Sequence, residues 1–282
     1  SHMMGFFSVF NSEALKDAVL TKGAGSAEYG GRLSSVLDLK MKEGNLRKYD
    51  GSASVGLVAM HGLFEGPIRK DAGSFFVAGR RTYFDYFLKI SKNKNIRKSS
   101  LYFYDLNAKA NYQLGTNDRL YLSGYFGKDV LGYKGEFGIE WGNTTATIRW
   151  NHLFNHKLFS NTSMIYSLYD YNVGLTTGNE LVNIYSSIKN YSLKEDFQYF
   201  ADSKNTIKFG LQASYYSFVP GEIKANQESS INSLLIKKKY AFESAIYLNH
   251  ERQFSDLFSI NYGLRYSSFS VLGPGEAYTF DA

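Results

Sequence analysis

The stretch Asn205-Thr-Ile-Lys-Phe-Gly-Leu-Gln-Ala-Ser-Tyr-Tyr216 places Ile207, Phe209, Leu211, Ala213 and Tyr215 on one side of an extended chain. Lys208, Gly210, Gln212 and Ser214 fall on the other. The pattern returns further on, where Phe258, Ile260, Tyr262, Leu264 and Tyr266 oppose Ser259, Asn261, Gly263, Arg265 and Ser267. Side chains of a strand alternate with period two, so each such segment carries one apolar and one polar face. In a water-soluble sandwich the apolar faces meet in a core. In a membrane barrel they face lipid, while the polar faces line a wet interior.

Working outward, alternation and turn chemistry predict about eleven strands from Tyr49 onward: 50–59, 61–68, 74–88, 102–115, 118–132, 139–154, 157–173, 184–201, 205–219, 239–254 and 257–272. Most are longer than the roughly 9–11 residues a tilted strand needs to span a bilayer, whereas globular strands average about five or six. The connections alternate in length. Short polar ones fall at 69–73, 115–118, 154–157, 201–205 and 254–257, and longer ones at 89–101, 133–138, 174–183 and 220–238. Short turns on one rim and long loops on the other is the layout of a transmembrane barrel. Charges should avoid the apolar faces, and Glu195 is the exception among 102–114, 191–199 and 240–251.

Composition agrees. The 282 residues include 23 Tyr and 22 Phe but 2 Trp and 3 Pro, a balance that suits strands and interfacial aromatic girdles. No apolar run reaches the ~18 residues of a spanning helix. The absence of Cys removes disulfide frameworks and thiolate metal sites. The net charge of +6 is concentrated in Lys89–Lys98 and Lys237–Lys239, between strand candidates, with no basic helix or aromatic–basic stripe to favour nucleic acid. His61, His152, His156 and His250 form no metal signature, no Ser-His-Asp arrangement stands out, and no cofactor is expected.

Ahead of the strands the chain reads differently. Ser1-His2-Met3 has the form of a cloning scar. Asn11 and Ser12 are N-cap candidates for a helical turn over Glu13–Asp17. A short strand is expected over Ala18–Lys22 and another over Leu33–Lys42, joined by the glycine-rich Gly23–Arg32. That loop lacks the spacing and the Gly-Lys-Ser/Thr ending of a phosphate loop, and serves better as a tight packing turn.

The run Leu20-Thr-Lys-Gly-Ala-Gly-Ser-Ala-Glu-Tyr-Gly-Gly-Arg-Leu-Ser-Ser-Val-Leu-Asp-Leu-Lys-Met-Lys-Glu-Gly44 resembles the C-terminal end of the plug of TonB-dependent outer-membrane receptors, most of all the Bacteroidetes variety. Gly79-Arg-Arg-Thr-Tyr83 and Leu101-Tyr-Phe-Tyr-Asp-Leu-Asn107 resemble the early barrel strands of the same group. The resemblance implies an all-β fold, a transmembrane antiparallel barrel preceded by the tail of a plug, in a family whose barrels have about 22 strands. On that basis residues 1–3 are the scar, 4–46 the C-terminal part of the plug and 47–282 the N-terminal half of the barrel, so the chain is expected to be an incomplete receptor. It implies no enzyme but an importer of a scarce nutrient (ferric siderophore, haem, cobalamin or glycan). Its expected partners are TonB, outer-membrane lipid and lipopolysaccharide, and its location is the outer membrane of a Gram-negative bacterium. Within the motif Tyr29, Gly30, Gly31 and Arg32 are the candidate contacts to the barrel. Lys92, Lys94, Arg97, Lys98, Lys237, Lys238 and Lys239 are either solvated or lipopolysaccharide-facing, or a funnel for an anionic nutrient. A passive porin-like barrel and a soluble all-β carbohydrate-binding module are the alternative readings.

Overall fold

A computed structural model describes residue 2 and residues 11–23, 26–31, 35–134, 136–225 and 234–273. A two-stranded hairpin, β1 (Leu15–Thr21) with β2 (Val36–Met41), precedes the main sheet. The main sheet contains β3 (Asp50–Val55), β4 (Ala59–Arg69), β5 (Gly73–Thr82), β6 (Ser100–Gln113), β7 (Asp118–Tyr133), β8 (Phe137–Asn155) and β9 (Leu158–Thr177). It continues with β10 (Glu180–Asp202), β11 (Asn205–Ala225), β12 (Leu234–Leu235), β13 (Lys239–Ser255) and β14 (Phe258–Leu272). All pairings are antiparallel between neighbours in the chain, apart from β12, which pairs with β11 beside the path that continues to β13. Among the described residues β3 and β14 are the two edges of the sheet.

The burial of the two faces is inverted relative to a soluble protein. Along β6 the polar series Asp105, Asn107, Lys109 and Asn111 is buried, with Asp105 at 3% and Lys109 at 9% exposure. Leu106, on the other face, is 47% exposed. The same parity passes through the register to Leu122 and Phe126 on β7, Ile148 on β8, Met164 on β9, Tyr191 and Leu193 on β10, Leu211 and Tyr215 on β11, and Phe242, Ile246 and Leu248 on β13, all exposed. A continuous apolar outer surface over so many strands exceeds what a monomer presents to water, and matches the lipid-facing band of a transmembrane barrel. Aromatic pairs lie toward its two margins, with Tyr166–Tyr191 at 5.2 Å and Tyr215–Tyr240 at 6.0 Å on one side. Phe197–Phe209 at 5.0 Å and Phe254–Phe258 at 5.6 Å lie toward the short-turn rim. Glu195 sits on the outer face between Leu193 and Phe197, opposite Thr162 and Leu211. Glu195→Leu is therefore expected to stabilise the lipid-embedded wall by about 1–2 kcal/mol, measured as a higher urea midpoint in vesicles.

The short rim is built by side chains that cap their own turns. The Asn155 Oδ1 accepts from the amides of Lys157 (2.9 Å) and Leu158 (3.1 Å), and the Asp202 Oδ1 from that of Lys204 (2.8 Å). Register shifts between Leu153 and Asn155, Phe200 and Asp202, and Gln253 and Ser255 precede these reversals. Pro220, which has no amide to give to a ladder, falls in a further shift between β10 and β11.

Several sequence expectations are corrected. The strand expected over 74–88 ends at Thr82, and a helix α1 (Phe84–Ile90) follows, then a short α2 (Lys94–Arg97). Register pairing stops at Ala59–Thr82 on the β4 side and at Arg81–Tyr104 on the β6 side, where the Thr82 hydroxyl takes the Phe103 amide in place of a backbone carbonyl. The helical turn expected over Glu13–Asp17 is a single 3-10 turn, Ser12–Ala14, capped by Asn11, because β1 already begins at Leu15. The loops expected at 133–138 and 174–183 are tight reversals, since β7 to β10 extend to meet them. Lys134 (φ 55) and Gly178 (φ 61) supply the left-handed backbone there. Of the loop expected at 220–238, residues 226–233 lie outside the described residues.

Candidate functional site: an inner segment held against the barrel wall

The buried polar face of the wall is covered by the segment that precedes β3, at two places. The first lies just after β2. Lys109 Nζ is 2.7 Å from Glu43 Oε1 and 3.4 Å from the Met41 carbonyl. The Glu43 carbonyl accepts from Asn111 Nδ2 at 3.0 Å and from Ser74 Oγ at 2.5 Å. Beside this network Ala14, Phe76 and Ala78 form a small apolar core with Met41 and Leu63. Gly44 (φ +84) closes the contact, and a Cβ there would lie 2.4 Å from the Phe75 carbonyl oxygen. Gly44→Ala meets both that backbone atom and a left-handed conformation, at a cost of about 2 kcal/mol. Protease cleavage ahead of residue 45 should accelerate, with the wall strands still protected. Gly62→Ala, which meets nothing within 4 Å, is the silent control.

The second place is the end of the sheet formed by β11, β13 and β14. The Ala27 amide donates to Asn249 Oδ1 at 3.4 Å, and Lys208 Nζ pairs with Glu28 Oε1 at 3.5 Å. Arg265 Nη1 donates to the carbonyls of Ala27 (3.4 Å) and Glu28 (3.2 Å). Its side chain lies over Gly30, where an added Cβ would come 2.1 Å from Nε. The missing Cβ at Gly30 leaves room for the Arg265 side chain to pass over the turn. Of the motif residues, Gly31 has φ +72 and sits near Glu243, and Tyr29 is partly exposed, its amide bonded to the Ser26 carbonyl at 2.9 Å. Burial, together with the charges of Glu28, Asp38 and Asp196, pushes the Tyr29 hydroxyl up to about 12. Arg32 lies outside the described residues.

On the strands of the first place, further toward the rim opposite the short turns, the wall carries a buried ionic cluster. Arg80 Nη2 lies 2.6 Å from Asp105 Oδ2, and its guanidinium stands 4.9 Å over the Phe103 ring. His2, although it belongs to the apparent scar, is buried here. It stacks on Phe103 at 4.2 Å, lies 2.7 Å from Asp129 and 3.6 Å from Asp105, and bonds the Tyr125 hydroxyl at 3.2 Å. Tyr247 also donates to Asp196, which pairs with Lys194 at 2.9 Å. The basic candidates are elsewhere. Lys92, Lys94, Arg97 and Lys98 are exposed on the α1–α2 connection and α2, and Lys237, Lys238 and Lys239 are exposed where the chain enters β13. Both groups lie on the rim opposite the short turns, but β7 to β11 separate them. The polar faces read from the sequence hold Lys208 and Arg265, and the same alternation puts Lys109, Asn111 and Asn249 on inward faces. Nothing in the sequence paired them with Glu43, Ala27 or Glu28.

These arrangements hold ions and backbone groups in fixed geometry. Among the described residues no cluster of three or more His, Asp or Glu is set to hold a metal. An antiparallel wall, apolar outside and polar inside, with a separate segment bonded to the inner face, defines an outer-membrane barrel of the plugged kind. The fold is that of solved TonB-dependent receptors. The chain is similar to BauA, the ferric preacinetobactin receptor from Acinetobacter baumannii, with a TM-score of 0.67 at 12% identity over 92% of this chain and 47% of that one. It is similar to the ferric-catecholate import receptor Fiu from E. coli K12 (TM-score 0.64, 15% identity, 91% of this chain and 50% of that one). It is similar also to the copper transporter OprC (TM-score 0.67, 10% identity, 93% of this chain and 44% of that one). The chain therefore spans about half the length of the solved receptors it matches. No protein-family model matches it, and no curated protein matches it in sequence.

Proposed function

We propose that this chain is the plug tail and first part of the barrel of a TonB-dependent outer-membrane receptor that imports a scarce nutrient. The observation that carries this is the inner segment. Its residues 26–31 and 41–44 are bonded to lumen-facing Asn249, Arg265, Lys208, Lys109, Asn111 and Ser74, while the opposite face of the same strands is apolar. A passive pore has no use for such a stopper. A plug held by many modest polar bonds can be loosened by a pull from the periplasmic side without unfolding the wall, since each net hydrogen bond contributes only about 1 kcal/mol. The solved proteins of similar fold take up ferric complexes or copper, and a ferric siderophore, haem, cobalamin or glycan is the nutrient class we assign here. Tyr29, Gly30 and Gly31 belong to the plug turn that meets the wall. The partner supplying energy is TonB.

The test is uptake by cells carrying the complete gene, with and without TonB, under limitation for iron, haem, cobalamin or glycan in turn. One nutrient should support growth through this receptor only when TonB is present. Equal uptake in the TonB-deficient strain would favour the passive-pore reading, and a protein that stays in solution without detergent would favour the soluble binding module.

A further inference from the structure

We infer that α1 and the basic segment after it form an interfacial anchor that binds phosphate-bearing lipid of the outer leaflet. The inference rests on the outer-membrane reading and assigns a partner to a surface that reading leaves unused. Its starting point is which side of the wall α1 sits on. On β5 the buried Phe76, Ala78 and Arg80 face the lumen, so Arg81 faces out. The Arg81 guanidinium lies 5.4 Å from the Tyr86 ring of α1 and 5.1 Å from that of Tyr102 on β6, and pairs with Asp85 at 3.0 Å. Those contacts root the helix on the membrane side of the wall rather than over the lumen.

Its depth follows from the register. Arg81 is the partner of Tyr104, and Tyr104 of Lys128, all on the outer face. Lys128 forms a 2.6 Å ion pair with Glu140 on that same face, and Tyr104 meets Phe126 at 5.9 Å. Two cations, a carboxylate and an aromatic pair mark the upper edge of the hydrocarbon band, where charge becomes tolerable and Tyr is favoured. Helix α1 begins three residues beyond Arg81, at headgroup level. There it exposes Phe87 (54%) and Ile90 (78%) next to Tyr86, with Lys89 alongside at 5.4 Å from the Tyr86 ring. Exposing large apolar side chains to water is unfavourable, but the acyl–headgroup boundary would cover them. Residues 86–99 add Lys92, Lys94, Arg97 and Lys98 and contain no Asp or Glu. Apolar residues flanked by uncompensated cations suit one kind of partner, an acyl chain with phosphate above it. A free anionic nutrient would use the cations and leave Phe87 and Ile90 exposed.

The test titrates lipid A into the full chain folded in zwitterionic detergent. Two variants are compared with the parent: Lys92→Gln, Lys94→Gln, Arg97→Gln and Lys98→Gln together, and Phe87→Ser with Ile90→Ser. Each is expected to weaken lipid A binding at least about tenfold, with inorganic phosphate failing to compete at equal concentration. Unchanged binding in either variant overturns the inference. So does competition by inorganic phosphate with the apolar variant still binding, which would mark a free-anion site. A second measurement guards against misfolded variants: Ile90→Trp in a Trp141→Phe, Trp150→Phe background, placed in vesicles with brominated lipid. Quenching is expected, and its absence counts against the anchor. A chain that needs no detergent sinks the membrane reading itself, whereas one that needs detergent but ignores lipid A sinks only this inference.

Discussion

Ile246→Arg is expected to destabilise the wall in lipid vesicles by about 2–4 kcal/mol, seen as a lower urea midpoint with an unchanged slope. The residue is 61% exposed. For a soluble protein an exposed Ile replaced by Arg, away from special features, changes stability within about ±0.5 kcal/mol. The two solvents therefore predict different outcomes for one substitution. Ile246 pairs with Leu211 on one side and Tyr266 on the other, inside the apolar outer band; because Glu195 lies beyond Leu211 on the same face, the substitution is made in the Glu195→Leu background. Gln212, one register position away on the opposite face, is the control. Gln212→Arg points into the hydrated interior and should be close to neutral. If Ile246→Arg costs no more than Gln212→Arg, the outer face does not meet hydrocarbon.

Arg80→Leu is expected to cost about 3–5 kcal/mol, because it strands a buried carboxylate without its cation. The side chain of Asp105 is fully buried and that of Arg80 is 8% exposed, with Nε at 2.7 Å and Nη2 at 2.6 Å from the same carboxylate oxygen. The pair stands on neighbouring strands as direct register partners, so neither can swing to water without opening the sheet. Removing both charges, with Arg80→Leu and Asp105→Leu together, should cost less than the sum of the single changes, since no buried charge is then left unpaired. Additive costs in chemical denaturation would show that the two residues are stabilised separately.

The two faces of each strand were legible because nothing but period two is needed to read them. Asp105, Asn107, Lys109 and Asn111 fall on one side of β6 in sequence, and that side is buried in the structure. The short turns were legible for the same reason, as Asn155 and Asp202 cap turns through bonds to residues two or three positions on. Strand ends were less so. The glycine- and asparagine-bearing stretches at 133–138 and 174–183 look like loops in isolation, yet Phe137 pairs with Leu175 and Asn183 with Gly174, and the ladder carries the strands through. Helix α1 was misread because Tyr83-Phe-Asp-Tyr-Phe-Leu88 has strand-like aromatics. What turns the chain into the helix is tertiary: the β5 ladder stops at Thr82 on the β4 side and at Arg81 on the β6 side, and Arg81 anchors α1 through Asp85 and the Tyr86 ring.

The sequence by itself determined that this protein is a set of long two-faced strands joined by short polar turns, since side-chain alternation and turn chemistry are local properties of consecutive residues. Only the tertiary structure decided which lumen-facing group meets which atom of the inner segment. Lys109 finds Glu43 across 66 positions of chain, and Ala27 finds Asn249 across 222. Such pairings depend on how far the sheet curves around the segment and where its register sets each strand, and no local pattern encodes either.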